Sequence, residues 1–426
     1  MPLNLASPGI VVREVDLTVG RVDTASDKVG ALVGPFAKGA VDLPILVETE
    51  QDLLDNFGKP YSADKHYEYW MVASSYLAYG GALRVVRADD DDLKNAFSGT
   101  AGSIKIKSTE HYNDLGYDGS TITGVTVAAR NPGSWANGIK VAIIDDLADQ
   151  VLTFSSLPAN IAVGYGITQA IPANTVVAGS GTTSLLTGYF KGIVTEVDST
   201  NKKISVKILQ SVTNAGVATN VTYQPNGIYK FGNTALGIHT TGQSTKYVSA
   251  TPTSSTDWFD SQTIQLTNST INWNNISDRP GTSSFSAARD SKFDEVHVVV
   301  IDDTGEVSGN AGTILEKHLS LSKAKDGEYS LGSPSYWRKY TYNNSTNIFA
   351  GGAPTGIVTT SFALGTFDLS SDVGWDQNTQ GIRFAGIGAT TLTLGGGKNY
   401  DGGSDEEASG AFQVTLAGLA GGYQLF

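Results

Sequence analysis

The chain has 426 residues, 40% of them hydrophobic and 17% charged, with a formal net charge of -13 and no cysteine. This length predicts two or three domains with buried cores. The negative charge argues against nucleic acid or an anionic membrane as the main partner, and the lack of cysteine excludes disulfides, thiol nucleophiles and Cys-based metal sites. No apolar run reaches the ~20 residues of a membrane span, and the first residues lack the pattern of a secretory signal.

The first predicted element is an extended arm over residues 1–25. Apolar positions alternate in its middle, and no partner strand follows within hairpin distance. The segment that carries this pattern is Ile10, Val11, Val12, Arg13, Glu14 and Val15. An ordinary first strand that pairs within its own domain is the other interpretation of the segment.

Residues 26–96 are predicted to form the first part of a compact α/β unit. Thr49 and Asp52 have the spacing of a capping box at a helix start, and Gly58 supplies the end of that helix. A second helix is expected to end at a pair of glycines. The strands are expected over residues 30–36, 45–48 and 82–88, and the helices over 49–58 and 65–79.

Two further patterns in this unit concern its surface. In the second helix, Tyr69, Val72, Tyr76 and Tyr79 recur at spacings of three and four, so we predict that this stripe faces the core. Four consecutive acids follow the last strand, at residues 89–92. They favour a solvated turn over a metal site.

Residues 97–282 are rich in β patterns and low in charge, and we predict that they form one or more inserted outer domains. One expected strand pair joins residues 121–130 to 139–145. Another joins residues 192–197 to 203–209 through a polar turn.

A second α/β segment is predicted over residues 283–394. Its apolar run at 296–301 predicts a strand that is buried on both faces. Residues 395–426 are rich in glycine and are expected to begin an inner C-terminal domain. Because the chain stops at Phe426 within an apolar segment, we expect the sequence to be cut rather than finished.

No pattern demands catalytic chemistry, and we predict no catalytic, cofactor-binding or metal-binding residues. The run ending in Gly397 and Lys398 fails as a phosphate loop, because Leu392 and Asn399 replace the required Gly and Ser/Thr. The five histidines are scattered along the chain. His297 lies in the buried apolar strand and is expected to be a hydrogen-bonded core residue.

Six runs, taken in chain order, resemble those of contractile phage tail sheath proteins of T-even-like myoviruses, including cyanobacterial phages. Each run is a weak signal alone, whereas their collinear order is specific. The runs are Ser7-Pro8-Gly9, Asn56-Phe57-Gly58, residues 79–87, residues 130–138, residues 296–301 and residues 395–402.

The resemblance implies a structural subunit without enzymatic activity or cofactor. In that family, six-membered rings stack helically around an inner tail tube, and terminal arms add strands to neighbouring subunits. The resemblance therefore assigns residues 10–15 to an intersubunit arm, which suits an unpaired alternating strand. The implied partners are further copies of the chain, the tail tube protein, and the baseplate and tail terminator proteins. The implied location is the virion tail, assembled in the host cytoplasm.

The fold class expected on this basis is α+β and multidomain. It comprises an extended N-terminal β arm, a discontinuous α/β unit and β-rich outer domains inserted into that unit. In the family a tube-facing C-terminal α/β domain ordinarily follows the Gly-rich signature, and the sequence is expected to be truncated before it. Contraction would be a rigid-body rearrangement of subunits driven by stored interface free energy.

Two other functions stay open. The Thr/Asn/Gly-rich β region, with Trp258 and Trp273 on its surface, would suit a tail-surface decoration or a receptor- or glycan-binding virion protein. A hydrolase that decorates the tail is the third alternative, and it would require convergent carboxylates in a cleft. An extended arm favours the structural subunit, because a binding module has no need of a strand that projects from its own sheets.

Overall fold

The computed structural model describes residues 29–60, 67–173, 175–179, 182–240, 248–360, 372–400 and 424–425. These residues are mostly β with few helices, and they form several sheets. The helices are α1 Glu50–Phe57, α2 Tyr67–Ala78, α3 Thr109–Asp114, α4 Ser284–Ala287 and α5 Trp337–Asn344. The strands are β1 Val29–Gly34, β2 Ile45–Val47, β3 Ala82–Arg87, β4 Phe97–Gly99, β5 Val125–Ala129, β6 Ile139–Asp145, β7 Gln150–Thr153, β8 Gly166–Ala170, β9 Val176–Gly179, β10 Thr182–Leu185, β11 Tyr189–Asp198, β12 Lys203–Val212, β13 Ala218–Asn220, β14 Leu236–His239, β15 Val248–Ala250, β16 Ser254–Asp257, β17 Thr263–Gln265, β18 Thr270–Asn272, β19 Glu295–Asp302, β20 Thr313–Ser322, β21 Glu328–Ser330, β22 Ser333–Pro334, β23 Ile348–Ala350, β24 Ala389–Thr393 and β25 Gln424–Leu425.

The first sheet has the order β2-β3-β1-β25, with β1 parallel to β3 and to β25. Helices α1 and α2 cover one face of it around a core that includes Phe57, Trp70 and Val85. The predicted capping box is confirmed, because Asp52 N donates to Thr49 Oγ1 and Thr49 N donates to Asp52 Oδ2, both at 3.1 Å. Two backbone donors that the helix leaves unpaired are thereby satisfied.

The predicted core stripe of α2 is correct at Tyr69 and Tyr76 and wrong at Val72 and Tyr79. The buried residues of this helix are Trp70, Ala73 and Leu77, whereas Val72 and Tyr79 are 52% and 88% exposed. Tyr69 and Tyr76, also in the predicted stripe, are half-buried at the edge of the core. The spacing did not distinguish the two sides because α2 carries large apolar residues on its exposed side as well as on its buried side.

The central sheet has the order β20-β19-β6-β24 and is antiparallel throughout. The prediction for residues 296–301 is confirmed, since β19 has a core on each face. Val298 and Trp337 belong to one core, and Val299 and Trp273 to the other. Trp258 also lies in this second core, so both tryptophans expected at the surface are buried.

A short sheet of order β23-β5-β4 stands beside the central sheet. The predicted pairing of residues 121–130 with 139–145 is wrong, because β5 pairs with β4 and β23, whereas β6 pairs with β19 and β24. Between β5 and β6 the chain makes a 3-10 turn, Ser134–Ala136. This turn leads the chain into a different sheet instead of folding it back as a hairpin.

The large sheet has the order β15-β14-β8-β11-β12-β7-β16, with β13 paired to β12. The predicted pairing of residues 192–197 with 203–209 is confirmed by the antiparallel pair β11 and β12. The strands of this sheet all come from residues 150–257. The strands that come first and last along the chain, β7 and β16, pair with each other. The predicted domain boundaries at residues 25, 96, 282 and 394 stay predictions.

Candidate functional site

The predicted intersubunit arm lies outside the described residues, so its assignment stays a prediction.

Three of the six runs that carry the resemblance are brought together in space. Arg87, residues 131–138 and residues 395–399 meet where the first sheet, the short sheet and the central sheet adjoin. We call this contact the junction.

Arg87 holds the first sheet to the junction. Its side chain is fully buried, and its Nε donates to Phe36 O at 2.7 Å. Its Nη1 donates to Gly39 O at 3.0 Å and to Pro132 O at 2.7 Å. Because a guanidinium presents its donors in a fixed plane, one side chain fixes a loop after β1 against the turn between β5 and β6.

Two reciprocal amide contacts hold the Gly-rich run to the same turn. Asn137 Nδ2 donates to Gly397 O at 2.9 Å, and Gly397 N donates to Asn137 Oδ1 at 2.8 Å. Ser134 N donates to Asn399 Oδ1 at 2.9 Å, and Asn399 Nδ2 donates to Ser134 Oγ at 2.8 Å. The run that resembled a phosphate loop is thus occupied by contacts with the chain itself.

Glycine is required where these backbones touch. Gly133 has a φ of 132°, and a Cβ placed there would lie 2.4 Å from Ala37 O. A Cβ on Gly397 would lie 2.2 Å from Gly133 O. A side chain at Gly133 would therefore push the turn away from the loop after β1, and one at Gly397 would separate the Gly-rich run from the turn.

A cleft of about 1390 Å³ opens beside the junction, between α1 and the end of α5. Trp135 lines it, with Lys38 Nζ 4.9 Å from the centre of its ring. Burial lowers the pKa of Lys38, while Asp55 and Glu316 act in the opposite direction. Much of the remaining lining is amide: Gln51, Asn56, Asn131, Asn137, Asn343, Asn344, Asn347 and Asn399.

Glu316 organises one wall of the cleft. Burial opposes its ionisation, yet hydrogen bonds from His318, Ser345 and Thr346 lower the pKa of Glu316 to about 2. Asn347 also donates to it through Nδ2, at 2.8 Å. The carboxylate is saturated with donors and fixes the loop after α5 against β20, so it is a structural group.

A second group of charges lies where the chain enters and leaves the large sheet. We call this group the neck cluster: Asp146, Asp149, Lys207, Asp257 and Arg279. Lys207 Nζ lies 3.1 Å from Asp146 Oδ2, and Arg279 Nη1 lies 3.6 Å from Asp146 Oδ1. Arg279 Nη2 also binds Asp257. The cluster joins the connection after β6 to β12, to β16 and to the segment before α4.

The neck cluster has one carboxylate with a perturbed pKa but no room for a substrate. Burial raises the pKa of Asp149 to about 7, and the neighbouring Asp146 adds to this effect. Each acid of the cluster is within reach of Lys207 or Arg279. The cavity beside Asp146 measures about 20 Å³, which accommodates about one water molecule. The arrangement therefore clamps the chain and does not form a catalytic cleft.

A buried ion pair lies next to the neck. Lys323 Nζ is 2.7 Å from Asp145 Oδ2, and both side chains are 0% exposed. The ammonium also donates to Phe293 O at 2.9 Å and to Ala385 O at 3.1 Å, so its three protons are all used. The second oxygen of Asp145 accepts from the Gly388 amide at 2.8 Å. This pair joins β6 to the segments that follow β20 and precede β24.

The sequence patterns singled out Arg87 and residues 130–138 and 395–402. They did not predict that these segments are in contact. It missed the neck cluster altogether. A signal was present, because Asp145, Asp146 and Asp149 directly follow a buried apolar strand, where acids are seldom found unless they are paired. Their partners, Lys323 for Asp145 and Lys207 and Arg279 for the other two acids, are too distant in sequence for the pairing to be predicted.

The histidine prediction for His297 is confirmed. Its Nε2 lies 3.0 Å from Asp278 O, its Nδ1 accepts from Ser320 N at 2.8 Å, and burial lowers its pKa. Across the part of the chain that the structure describes, no group of three or more His, Asp or Glu residues is arranged to hold a metal ion. None of the helices in that part is long and apolar enough to cross a membrane.

Comparison with known proteins identifies two curated relatives. Over 102 residues, 24% of this chain, the sequence is 36% identical to the tail sheath protein of Enterobacteria phage T4, and the match covers 15% of that protein. Over 118 residues, 27% of this chain, it is 33% identical to the tail sheath protein of Salmonella phage ViI and covers 18% of it. The resemblance to tail sheath proteins is confirmed, although the matches span less than a fifth of either relative.

Two solved structures align with parts of the chain. A sheath tail protein of Listeria innocua is 13% identical over 54% of this chain and 34% of its own, with a TM-score of 0.17. A sheath tail protein of Desulfitobacterium hafniense is 13% identical over 57% of this chain and 38% of its own, with a TM-score of 0.18. TM-scores this low do not establish a shared fold. No family model matches the chain.

Proposed function

We propose that the chain is a structural, non-enzymatic subunit of a contractile virus tail sheath. It polymerises as stacked hexameric rings around the tail tube and contracts to drive the tube through the host envelope. The observation that carries this proposal is the 36% and 33% sequence identity to two tail sheath proteins. Its partners are further copies of itself, the tube protein, and the baseplate and terminator proteins. It is assembled in the host cytoplasm.

The rigidity of the described part supports this role. Contraction by rigid-body rearrangement requires subunits that keep their shape while their contacts change. Arg87 and Asn137 fix three sheets to one another at the junction. The neck cluster clamps the large sheet to the central sheet, and the Lys323–Asp145 pair fixes the end of β6 beside it. Buried charges that lose a partner are costly, so both connections resist bending.

In this proposal residues 1–25 form the intersubunit arm. Residues 26–96 and 283–394 form a discontinuous α/β unit that carries the outer domains, and residues 395–426 begin the tube-facing domain. The arm adds a strand to a neighbouring subunit, where backbone hydrogen bonds give affinity and alternate side chains set the register. Subunits stay tethered by their arms while the rings rearrange.

The experiment compares polymerisation of the intact chain, with and without isolated tail tubes, by sedimentation and electron microscopy. Deletion of residues 1–23 is expected to abolish tube-like assembly and to leave the thermal unfolding midpoint unchanged. Val12→Pro should do the same, because proline removes a backbone donor from the added strand. Val12→Thr, the matched control, keeps that donor and should polymerise.

The outcomes separate the parts of the proposal. Unchanged polymerisation of the deletion and of Val12→Pro would contradict the arm but leave the sheath role standing. Failure of the intact chain to polymerise under any of these conditions would contradict the sheath role. The glycan-binding alternative loses its main support, since Trp258 and Trp273 are buried.

A further inference from the structure

Helix α2 exposes several large apolar residues on its outer face. Its inner side packs on the core through Trp70, Ala73 and Leu77. Glu68 and Ser75 lie on the outer face, but large apolar residues surround them, and an exposed patch of such residues commonly marks an interaction site. The large apolar residues of the outer face are Tyr67, Met71, Val72 and, directly after the helix, Tyr79, with exposed fractions of 43%, 53%, 52% and 88%.

The size of this face fits an interface between protein chains. Together these four side chains expose about 500 Å² of accessible surface. This area is within the size range of the largest exposed apolar patch on a typical monomer. A stable protein interface buries about 800 Å² on each partner. The outer face of α2 alone would supply more than half of one side.

A second copy of the chain is the occupant that the proposed function requires. A two-fold contact of α2 with itself would close into a dimer, whereas a growing tube needs contacts between two different surfaces. The outer face of α2 must then meet another apolar surface of the next copy. Among the large apolar side chains of the described residues, Leu331 has the highest exposed fraction, at 98%.

Leu331 lies at the tip of the hairpin of β21 and β22, next to Gly332, which has a φ of 81°. Tyr329, on the same hairpin, is 48% exposed. Its hydroxyl donates to Leu319 O at 3.2 Å and thereby holds the hairpin against β20. The projecting tip is therefore held in place before any partner binds, which lowers the entropic cost of an interface.

We propose that the outer face of α2 on one copy receives the hairpin tip that carries Leu331 on the next copy. This inference rests on the proposed function, because it takes from it the need for a contact between unlike surfaces. It adds the residues through which successive copies bind.

The test uses the absence of cysteine from the chain. Val72→Cys and Leu331→Cys variants are mixed under polymerising conditions, treated with a short bismaleimide, and the linked peptides are identified by mass spectrometry. A link between positions 72 and 331 of two copies is expected. The control replaces Leu331→Cys with Val217→Cys, which is also well exposed but lies beyond β12 in the large sheet. Its yield of links to position 72 should be at least tenfold lower.

A second measurement reads the strength of the contact. Met71→Lys and Leu331→Asp should each raise the concentration needed for polymerisation at least tenfold, while the thermal midpoint of the monomer stays unchanged. If polymers form without a 72–331 link, or with links only between two copies of position 72, the interface is overturned and the sheath role stands. If a further variant that carries Val72→Cys and Leu331→Cys in one chain links only within that chain, the hairpin of the same copy is the occupant and the proposal is also overturned. If neither polymer nor link forms, both proposals are overturned.

Discussion

Asn137 and Gly397 bind each other through two hydrogen bonds, although 260 residues separate them. The side-chain amide of Asn137 donates to the Gly397 carbonyl at 2.9 Å and accepts from the Gly397 amide at 2.8 Å. The Asn137 side chain thus makes the two hydrogen bonds that a neighbouring backbone would otherwise make with Gly397. Among the standard side chains of this size, only an amide can both donate and accept here.

Asn137→Asp removes one of these two bonds and keeps the other. The carboxylate still accepts from the Gly397 amide, but it faces the Gly397 carbonyl without a proton to donate. We expect the free energy of unfolding in urea to fall by about 1 to 2 kcal/mol. The control is Asn220→Asp, because exposed Asn220 only accepts, from Gln210. A loss for Asn137→Asp no larger than that of the control would contradict the role of this contact.

Arg87→Lys keeps the charge at the junction but removes the planar arrangement of donors. A lysine ammonium cannot reach Phe36, Gly39 and Pro132 together, so buried carbonyl groups lose their donors. We expect a loss of about 2 to 4 kcal/mol in the free energy of unfolding. Arg289→Lys, in which an exposed arginine donates to the Phe285 carbonyl, should change it by less than about 0.5 kcal/mol. Equal effects of the two changes would exclude Arg87 as the clamp.

Asp149 makes stability depend on pH near neutrality. Its folded pKa is about 7, compared with an ordinary value of 3.8, so between these values the native state binds more protons than the unfolded state. The contribution of Asp149 to the free energy of unfolding is therefore fully present below about pH 3.8 and is lost as the pH rises through 7. Asp149→Asn cannot ionise, and its unfolding free energy should lack this decline when urea unfolding is measured from pH 4.5 to 8. The exposed Asp114→Asn should retain the wild-type slope, and a slope retained by Asp149→Asn as well would refute the assignment.

Lys323→Met breaks the buried ion pair by removing one partner. The Asp145 carboxylate would remain buried without its cation, which is expected to cost about 3 to 5 kcal/mol of unfolding free energy. Adding Asp145→Asn should then cost much less than the sum of the two single changes. Lys105→Met, which removes a partly exposed ion pair with Asp89, should cost about 1 kcal/mol or less. Additive costs at Lys323 and Asp145 would show that the pair is not coupled.

Local signals in the sequence predicted several elements correctly. The capping box of Thr49 and Asp52 needs only three residues of spacing, and the β11–β12 hairpin needs only a polar turn. The strand over residues 296–301 was identified because a run with five apolar residues among six is rare outside a core that covers both faces. In each case the information lies within about ten residues of the element.

Where distant segments decide the structure, the sequence was insufficient. Residues 125–129 pair with residues 348–350, more than 200 positions later, so adjacency along the chain suggested the wrong partner for β5. Val72 and Tyr79 of the stripe on α2 were wrongly placed in the core, because Trp70 and Leu77 occupy it instead. The neck cluster could not be predicted, since its acids and their cations come from four separate segments.

The pairing of β7 with β16 brings the two ends of the large sheet's chain segment together. Gln150 lies opposite Asp257, and the Trp258 amide donates to the Asp149 carbonyl at 3.0 Å. The 108 residues from 150 to 257 thus begin and end on two neighbouring, hydrogen-bonded strands. A short turn from Asp149 to Trp258 could replace these residues if Asp146, which would lose Lys207, were also changed to Asn. Whole modules could then be exchanged here, and a foreign domain could be displayed at the same place.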